Sequence, residues 1–219
     1  MIKIGHRGAK GYVAENTLAS FQKAIEMGVD GIELDVHLSF DGKVVVIHDE
    51  TIDRTSNGKG LVNDFTSSDL KKLNIPTLEQ VLDLIKERCF LNIEIKDSKA
   101  TKPVLDLIQI YILEKNWNIN LFQISSFDWT ILESISNVNP KLQLGVLTEN
   151  KIEEALLFAK KINAHSINPY FKLLNSKNVK LVQENQFKIY TWTVNLLEDI
   201  TFVKSLKVDG IISDFPDRV

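Results

Sequence analysis

The sequence predicts an α/β protein with a (β/α)8 TIM barrel, in which eight parallel strands alternate with helices. Apolar strand-like runs and segments of helical periodicity alternate over all 219 residues, an order typical of a parallel sheet. Eight such strands in a chain of this length favour a closed barrel over an open sheet. An open Rossmann-like sheet is the alternative, but the first strand-to-helix turn lacks the Gly-rich phosphate loop of that fold.

The first strand–helix unit is short and sharply bounded. Residues 2–5 form an apolar run, and residues 16–27 carry an apolar stripe along one helical face. Asn16 is a good candidate for the helix N-cap, and Gly28 is a plausible stop. A second strand is therefore expected at 31–36, directly after the stop.

An irregular insertion follows the second strand. Asp41 and Gly42 predict a turn, after which residues 43–48 extend the strand as a hairpin. Residues 49–75 contain no sustained strand, and we expect only one short helix near 67–73. The regular pattern then resumes with a helix over 77–88, which has a proline before it and acidic and amide residues in its first turn.

The remaining strands and helices alternate without interruption. The predicted strands cover 90–96, 121–125, 141–147, 164–168, 187–193 and 210–214, and the predicted helices cover 102–115, 128–137, 151–161, 176–185 and 197–205. No Pro/Gly-rich linker or low-complexity segment divides them. We therefore expect one domain over residues 1–219, with the compact insertion at 49–75.

Charge, cysteine content and hydropathy limit the partners and the location that we expect for this protein. A formal net charge of −3 disfavours a nucleic-acid partner. The single cysteine, Cys89, allows no internal disulfide and is expected to be a buried thiol. The sequence shows neither a signal peptide nor an apolar run of ~18 residues, so we expect no membrane span and a cytoplasmic location. A monomer and a homodimer are both compatible with the sequence.

Two strands carry ionisable pairs where a buried strand would be apolar. Glu33 and Asp35 share one face of the second strand, as Glu94 and Lys96 share one face of the third. Burying these carboxylates is costly without compensating positive charge. An all-oxygen ligand set suits a hard cation such as Mg²⁺ or Ca²⁺. Alternatively, the carboxylates pair with Arg or Lys in a purely structural network.

Short polar motifs follow the predicted strands in a specific order. They are His6-Arg7-Gly8, Glu15-Asn16-Thr17, Glu33-Leu34-Asp35, His48-Asp49, Asp53-Arg54-Thr55, Pro76-Thr77-Leu78-Glu79, Glu94-Ile95-Lys96, Trp192-Thr193-Val194-Asn195 and the Asp209 to Pro216 segment. Together they resemble the glycerophosphodiester phosphodiesterase family over almost the whole chain. The resemblance implies a barrel, a divalent cation, and hydrolysis of glycerophosphodiesters to glycerol 3-phosphate and an alcohol.

The resemblance also implies roles for individual residues. It assigns the metal to Glu33, Asp35 and Glu94, the general base to His6 and the general acid to His48. Imidazole titrates near neutrality, so it suits both proton transfers. The nucleophile is either water or the glycerol hydroxyl of the substrate itself, through a cyclic phosphate.

Four further residues are candidates for binding the substrate. Arg7 can hold a phosphate oxygen through its planar fork, unless it forms only a salt bridge at the rim. Lys96 binds the same phosphate or only neutralises the acidic cluster. Glu15 faces the site, where it binds a glycerol hydroxyl or orients Arg7, unless that segment serves only as a helix cap. Trp192 walls the pocket and keeps its indole N–H as a donor, or is a core residue.

Other polar residues are expected to be structural, and some functional alternatives remain. His37 and His165 have no assigned role, and Asp209 and Asp214 are expected to pin the last strand. A lysophospholipase D would need an apolar groove or a membrane-facing helix beside the mouth, which no segment obviously supplies. A non-catalytic phosphodiester sensor would not need both histidines. An enolate-forming barrel isomerase or lyase also uses three acidic ligands, but Arg7 and the two histidines fit phosphate better. The compact insertion, which is longer in many relatives, leaves the preferred alcohol open.

Overall fold

The chain folds as a closed barrel of eight parallel strands with helices between them, as the sequence predicts. The computed structural model describes residues 1–219. The strands are β1 (Ile2–His6), β2 (Gly31–Leu38), β3 (Val44–Val46), β4 (Phe90–Ile95), β5 (Phe122–Ser126), β6 (Gln143–Thr148), β7 (Ser166–Pro169), β8 (Lys188–Thr191) and β9 (Gly210–Ser213). The helices are α1 (Leu18–Glu26), α2 (Ser67–Lys72), α3 (Leu78–Ile85), α4 (Thr101–Glu114), α5 (Trp129–Val138), α6 (Ile152–Ile162), α7 (Ser176–Glu184) and α8 (Leu197–Ser205).

The ring closes where β1 pairs in parallel with both β9 and β2. Its order is β1-β9-β8-β7-β6-β5-β4-β2, and β3 pairs antiparallel with β2 outside the ring. The extra strand is the hairpin that the Asp41-Gly42 turn predicts. None of the helices combines the length and the hydropathy needed to traverse a lipid bilayer.

Apolar side chains fill both sides of the ring. A cluster of 47 buried residues joins the helices to the outer faces of the strands. A smaller cluster of Ile4, Tyr190 and Ile212 lies among strands β1, β8 and β9. Because side chains alternate along a strand, Ile4 and His6 share one face of β1, with the histidine at the carboxyl end. The buried Cys89 belongs to the larger cluster, and burial raises the pKa of its thiol to about 12.

The insertion after β3 is compact because it has a small core of its own. Six buried aliphatic residues form this core, namely Val45, Ile47, Ile52, Val62, Leu70 and Ile75. The short helix predicted near 67–73 is α2, whose N-cap Thr66 accepts a hydrogen bond from Asp69 N. This core attaches the insertion to the barrel at the carboxyl end of β2.

The prediction that Asn16 caps the first helix is wrong. The N-cap is Thr17, whose hydroxyl accepts a hydrogen bond from Ser20 N. Asn16 lies one residue earlier in the left-handed region, at φ 56°, and it is buried. Its side chain therefore serves the barrel interior rather than the helix. Gly28 ends the helix as predicted, at φ +69°.

Candidate active site

Three carboxylates meet at the carboxyl ends of two neighbouring strands. One oxygen from each of Glu33, Asp35 and Glu94 lies within 4.8 Å of the others. Asp35 on β2 is in direct register with Glu94 on β4, and Glu33 is two residues back on the same face of β2. All three residues are buried. The strand pairing thus creates an acidic triad that the spacing within each strand only suggests.

Two cations offset part of this negative charge. Arg7 Nε lies 3.2 Å from Asp35 Oδ2, while Lys96 Nζ lies 2.6 Å from Glu94 Oε1 and 3.4 Å from Asp35 Oδ1. Burial alone would raise the pKa of Asp35, but the Arg7 and Lys96 charges outweigh it and hold that pKa below its ordinary value. The central carboxylate of the triad is therefore ionised.

The outer two carboxylates are less well compensated. Burial, together with the charges of Asp35 and Glu94, raises the pKa of Glu33 well above its usual range. Burial and then the Asp35 charge raise the pKa of Glu94 to about 7. Asp35 Oδ1 is also buried and, apart from the 3.4 Å ion-pair contact with Lys96 Nζ, has no polar partner. A crowded, oxygen-only donor set with excess negative charge fits a hard divalent cation.

His6 ends β1 and is held by a carboxylate from the last strand. Its Nδ1 donates to Asp214 Oδ1 at 2.6 Å, and Asn195 Nδ2 in turn donates to Asp214 Oδ2 at 2.8 Å. The other ring nitrogen, Nε2, lies 3.9 Å from Glu33 Oε2. Burial lowers the pKa of His6 below its ordinary value. The ring is thus neutral near pH 7, with an acceptor nitrogen facing the triad.

His48 lines the same mouth and, like His6, is held by a carboxylate through Nδ1. Its Nδ1 donates to Asp49 Oδ1 at 2.7 Å, and burial lowers its pKa. His37, expected to be structural, donates from Nε2 to the His48 carbonyl oxygen at 3.1 Å. The rings of His6 and His48 are therefore both oriented through Nδ1, and each keeps its Nε2 available for proton transfer.

A tight turn after β1 places Arg7 at the mouth of the barrel, in contact with the acidic triad. Arg7 is left-handed at φ 50°, and its backbone N–H donates to Glu33 Oε2 at 3.1 Å. The following Gly8 has φ +88°, and a Cβ there would meet Ser20 Oγ at 2.4 Å. Only glycine therefore allows α1 to approach this turn. Such strain in a non-glycine residue is characteristic of functional sites.

Arg54 from the insertion joins the two halves of the site. Its guanidinium donates to both oxygens of Asp49, at 2.6 and 3.0 Å, and to both oxygens of Glu15, at 2.8 and 3.0 Å. Glu15 also accepts from Arg7 Nη1 at 2.7 Å. One arginine thus connects the carboxylate that holds His48 to the carboxylate that holds Arg7.

A cavity of about 100 Å³ lies at the centre of these groups. Seven of the predicted site residues line it, namely His6, Arg7, Glu33, His48, Glu94, Lys96 and Trp192. Asp35 and Glu15 do not line it: Asp35 contacts the lining residues Arg7 and Lys96, and Glu15 contacts Arg7. The Trp192 ring packs edge-to-face on Phe127, with centroids 5.5 Å apart. Its indole N–H is a donor, as predicted, and it donates to the Asn168 carbonyl oxygen at 2.8 Å.

Four residues contribute to the site although no role in it was predicted for them. Asp214 holds His6 instead of only pinning β9, which Asp209 does by accepting from Ile189 N at 3.0 Å. Asn16 donates to Asp35 Oδ2 at 2.9 Å, and Arg54 and Asn195 hold other carboxylates. The signals were weak: each lies in a quoted motif, but only the fold shows its partner.

The fold and the site together define a class of protein. A parallel barrel whose strand ends join an acidic triad, two cations and two carboxylate-bound imidazoles is built as an enzyme, because binding alone does not require paired proton-transfer groups. The glycerophosphoryl diester phosphodiesterase family profile matches residues 6–218. The chain belongs to this family, and the sequence-based identification is confirmed.

Individual relatives match this chain over nearly their whole length. The chain is 40% identical to a glycerophosphodiester phosphodiesterase of Caldanaerobacter subterraneus subsp. tengcongensis, over 99% of this chain and 95% of the relative. Identity to the enzyme of the same name from Bacillus altitudinis is 37%, over 100% and 96%. A crystal structure of the Thermotoga maritima glycerophosphodiester phosphodiesterase superposes with a TM-score of 0.86 at 31% identity, covering 99% and 96% of the two chains.

Proposed function

We propose that this chain hydrolyses glycerophosphodiesters to glycerol 3-phosphate and an alcohol, using a divalent cation and a pair of histidines. We also propose that residues 1–219 form one domain that carries this activity. The observation that carries the proposal is the buried acidic triad facing two carboxylate-held imidazoles across one cavity. The names of the relatives at 40% and 37% identity support the substrate class.

Glu33, Asp35 and Glu94 would hold the cation, and either Mg²⁺ or Ca²⁺ suits their oxygen donors. When bound, the cation offsets negative charge on the phosphoryl oxygens and polarises the phosphorus centre. Lys96 and Arg7 line the same cavity, and each has more donors than the carboxylates occupy. These two side chains would bind and orient the phosphate.

The histidines divide the proton transfers between them. The neutral Nε2 of His6 takes the proton from the attacking hydroxyl. His48 acts from its imidazolium form, in which Nε2 also carries a proton, and gives that proton to the leaving alkoxide as the phosphorus–oxygen bond breaks. Asp214 and Asp49 fix the ring orientations and stabilise each imidazolium when it forms. The arrangement accommodates both water and the substrate glycerol hydroxyl as the nucleophile.

Glu15 and Trp192 shape the site without entering the chemistry. Glu15 is already shared by Arg7, Arg54 and Lys10, so we assign it to orienting Arg7 rather than to binding a glycerol hydroxyl. Trp192 presents its ring to the cavity while its N–H is used. It would pack against the glycerol carbons.

Release of glycerol 3-phosphate from glycerophosphoethanolamine tests the proposal. We expect turnover that a chelator abolishes and that added Mg²⁺ or Ca²⁺ restores, measured with a coupled glycerol 3-phosphate assay. Turnover that is insensitive to chelation would contradict the cation requirement. Tight binding without hydrolysis under any metal would indicate the sensor alternative, and release of alcohol only from lysophospholipids would indicate a lysophospholipase D.

Arg54 is expected to act as a positioning residue through Asp49 and Glu15. Replacing Arg54 by Met should lower kcat/KM by up to about 10²-fold, the cost of a small misplacement of catalytic groups. Arg54→Lys should recover only part of the loss, because a lysine cannot bind two carboxylates bidentately. The matched control is Lys59→Met, an exposed residue of the same insertion without an ion pair.

Kinetics on two substrates separates positioning from stability. If Arg54 orients His48, the Arg54→Met loss should shrink for a p-nitrophenyl diester, whose leaving group needs no proton. A uniform loss on both substrates would indicate a merely structural role. Activity of Arg54→Met within about twofold of the wild type would contradict the positioning role of Arg54, because it would show that the catalytic groups are not displaced when Arg54 is lost.

A further inference from the structure

A second and larger cleft opens beside the catalytic cavity. It has a volume of about 580 Å³, within the range of ~300–1,000 Å³ common for small-molecule sites. The cleft runs between the N-terminal end of α1 and the insertion, and His48 belongs to its wall as well as to the wall of the catalytic cavity. Nothing in the family assignment or in the proposed chemistry gives this cleft an occupant.

Aliphatic side chains form about half of the lining of the cleft. Leu18 and Ala19 form the α1 side, while Ile47, Leu73 and Pro76 form the insertion side. The sequence shows no obvious apolar groove beside the mouth, because these residues come from segments that the fold alone brings together. An apolar group that enters the cleft is removed from water, which is favourable in proportion to its buried area.

The charged groups of the cleft disfavour a cationic occupant. Glu15 is paired with Arg7, Lys10 and Arg54, so its charge is already balanced. Lys71 also lines the cleft, and no ion pair compensates it. A cationic alcohol such as choline would therefore meet a like charge there.

One buried acceptor in the cleft has no partner. Asn16 lines the cleft and donates through Nδ2 to Asp35 Oδ2 at 2.9 Å, which fixes the orientation of its amide. Its Oδ1 is buried without a hydrogen bond, and leaving a buried acceptor unpaired in this way costs free energy. Because this oxygen is inaccessible to solvent, it does not serve as a binding group for the occupant, which depends on the aliphatic wall instead.

We propose that the cleft binds the leaving alcohol and that this alcohol is uncharged and aliphatic. The inference rests on the proposed function: His48 protonates the leaving oxygen, so the alcohol must lie on the His48 side, and the cleft begins at that residue. The glycerol that becomes glycerol 3-phosphate would occupy the other side, against Trp192.

A chain-length series of glycerophosphoalkanols tests this assignment. We expect kcat/KM to rise at least about tenfold from the ethanol to the octanol diester, because each buried methylene contributes up to about fourfold. The choline diester should be a poorer substrate than the butanol diester. The same alkyl chain attached to the retained glycerol instead should give no such gain.

A bulky substitution that fills the cleft provides the matching variant. Ala19 is exposed in the first turn of α1, so Ala19→Trp can occupy the cleft without entering the core. This variant should bring the octanol-to-ethanol ratio of kcat/KM down to nearly one. Leu113→Trp, at a 68% exposed position near the end of α4, is the control and should keep the wild-type ratio.

The outcomes separate the two proposals. No glycerol 3-phosphate from any diester would overturn the proposed function itself. Hydrolysis of the ethanol diester with a flat chain-length series, or with an unchanged ratio in Ala19→Trp, would overturn the cleft assignment alone. A preference for choline over alkanols of similar size would overturn it as well.

Discussion

Replacing either His6 or His48 by alanine is expected to lower kcat for glycerol 3-phosphate release by about 10²- to 10⁴-fold, the usual contribution of a positioned acid or base. KM should stay within about threefold, because the phosphate is bound by other groups and the imidazoles act in the transition state. Steady-state kinetics on glycerophosphoethanolamine measures both parameters. His165→Ala is the control, since that ring lies outside the site with Nε2 3.3 Å from Tyr190 Oη.

The two histidines should respond differently to the leaving group. A p-nitrophenolate needs no proton, so His48→Ala should recover much of its activity on the p-nitrophenyl diester, whereas His6→Ala should remain impaired on both substrates. Recovery of His6→Ala alone would reverse the acid and base assignments. Near-normal turnover of either variant on the natural diester would remove that residue from the mechanism.

Replacing Glu33 by Gln is expected to abolish stabilisation by the divalent cation. A ligand at ~100 times its Kd stabilises the native state by about 2.7 kcal/mol, which should raise the wild-type melting temperature by roughly 5–10 °C for a chain of this size. The variant loses one of three carboxylate ligands, so its melting temperature should barely respond to added cation. Its activity should fall at least about 10²-fold, because even the loss of a residue that only holds a metal ligand in place lowers metal affinity or activity by 10- to 100-fold.

The same substitution should stabilise the metal-free protein. Glu33 is buried beside two other carboxylates, and a glutamine keeps the acceptor for the Arg7 N–H without the like charge. We expect a gain of about 1 kcal/mol, as is common when a functional site is relieved of strain. Melting in chelator measures it, with Glu198→Gln on the exposed face of α8 as the control. A less stable metal-free variant would show that Arg7 and Lys96 already balance the triad.

Much of the site was predictable because strand geometry is local. Residues two apart share a face, so Glu33 with Asp35 and Glu94 with Lys96 had to point the same way. The order of strands and helices then placed these ends at one rim of a barrel. The helix bounds were less predictable at Asn16, where the buried contact with Asp35 and a left-handed backbone displaced the cap to Thr17.

The supporting shell was not predictable because its members are far apart in sequence. His6 and Asp214 are separated by 208 residues, and Glu15 and Arg54 by 39. The Trp192 N–H was expected to be a donor, but its acceptor, the Asn168 carbonyl oxygen on the neighbouring strand β7, could not be read from the sequence. Such pairings depend on barrel closure and on how the insertion packs, neither of which leaves a periodic pattern in the chain.

By itself the sequence determined the barrel, the family and the residue types at the rim, since hydrophobic periodicity and side-chain alternation act over a few residues. Only the tertiary structure decided which carboxylate orients each imidazole, how Arg54 links the two halves of the site, and that a cleft adjoins His48. The physical reason is that these features are contacts between distant segments. Their geometry exists only when packing of the whole barrel has brought those segments within hydrogen-bond distance.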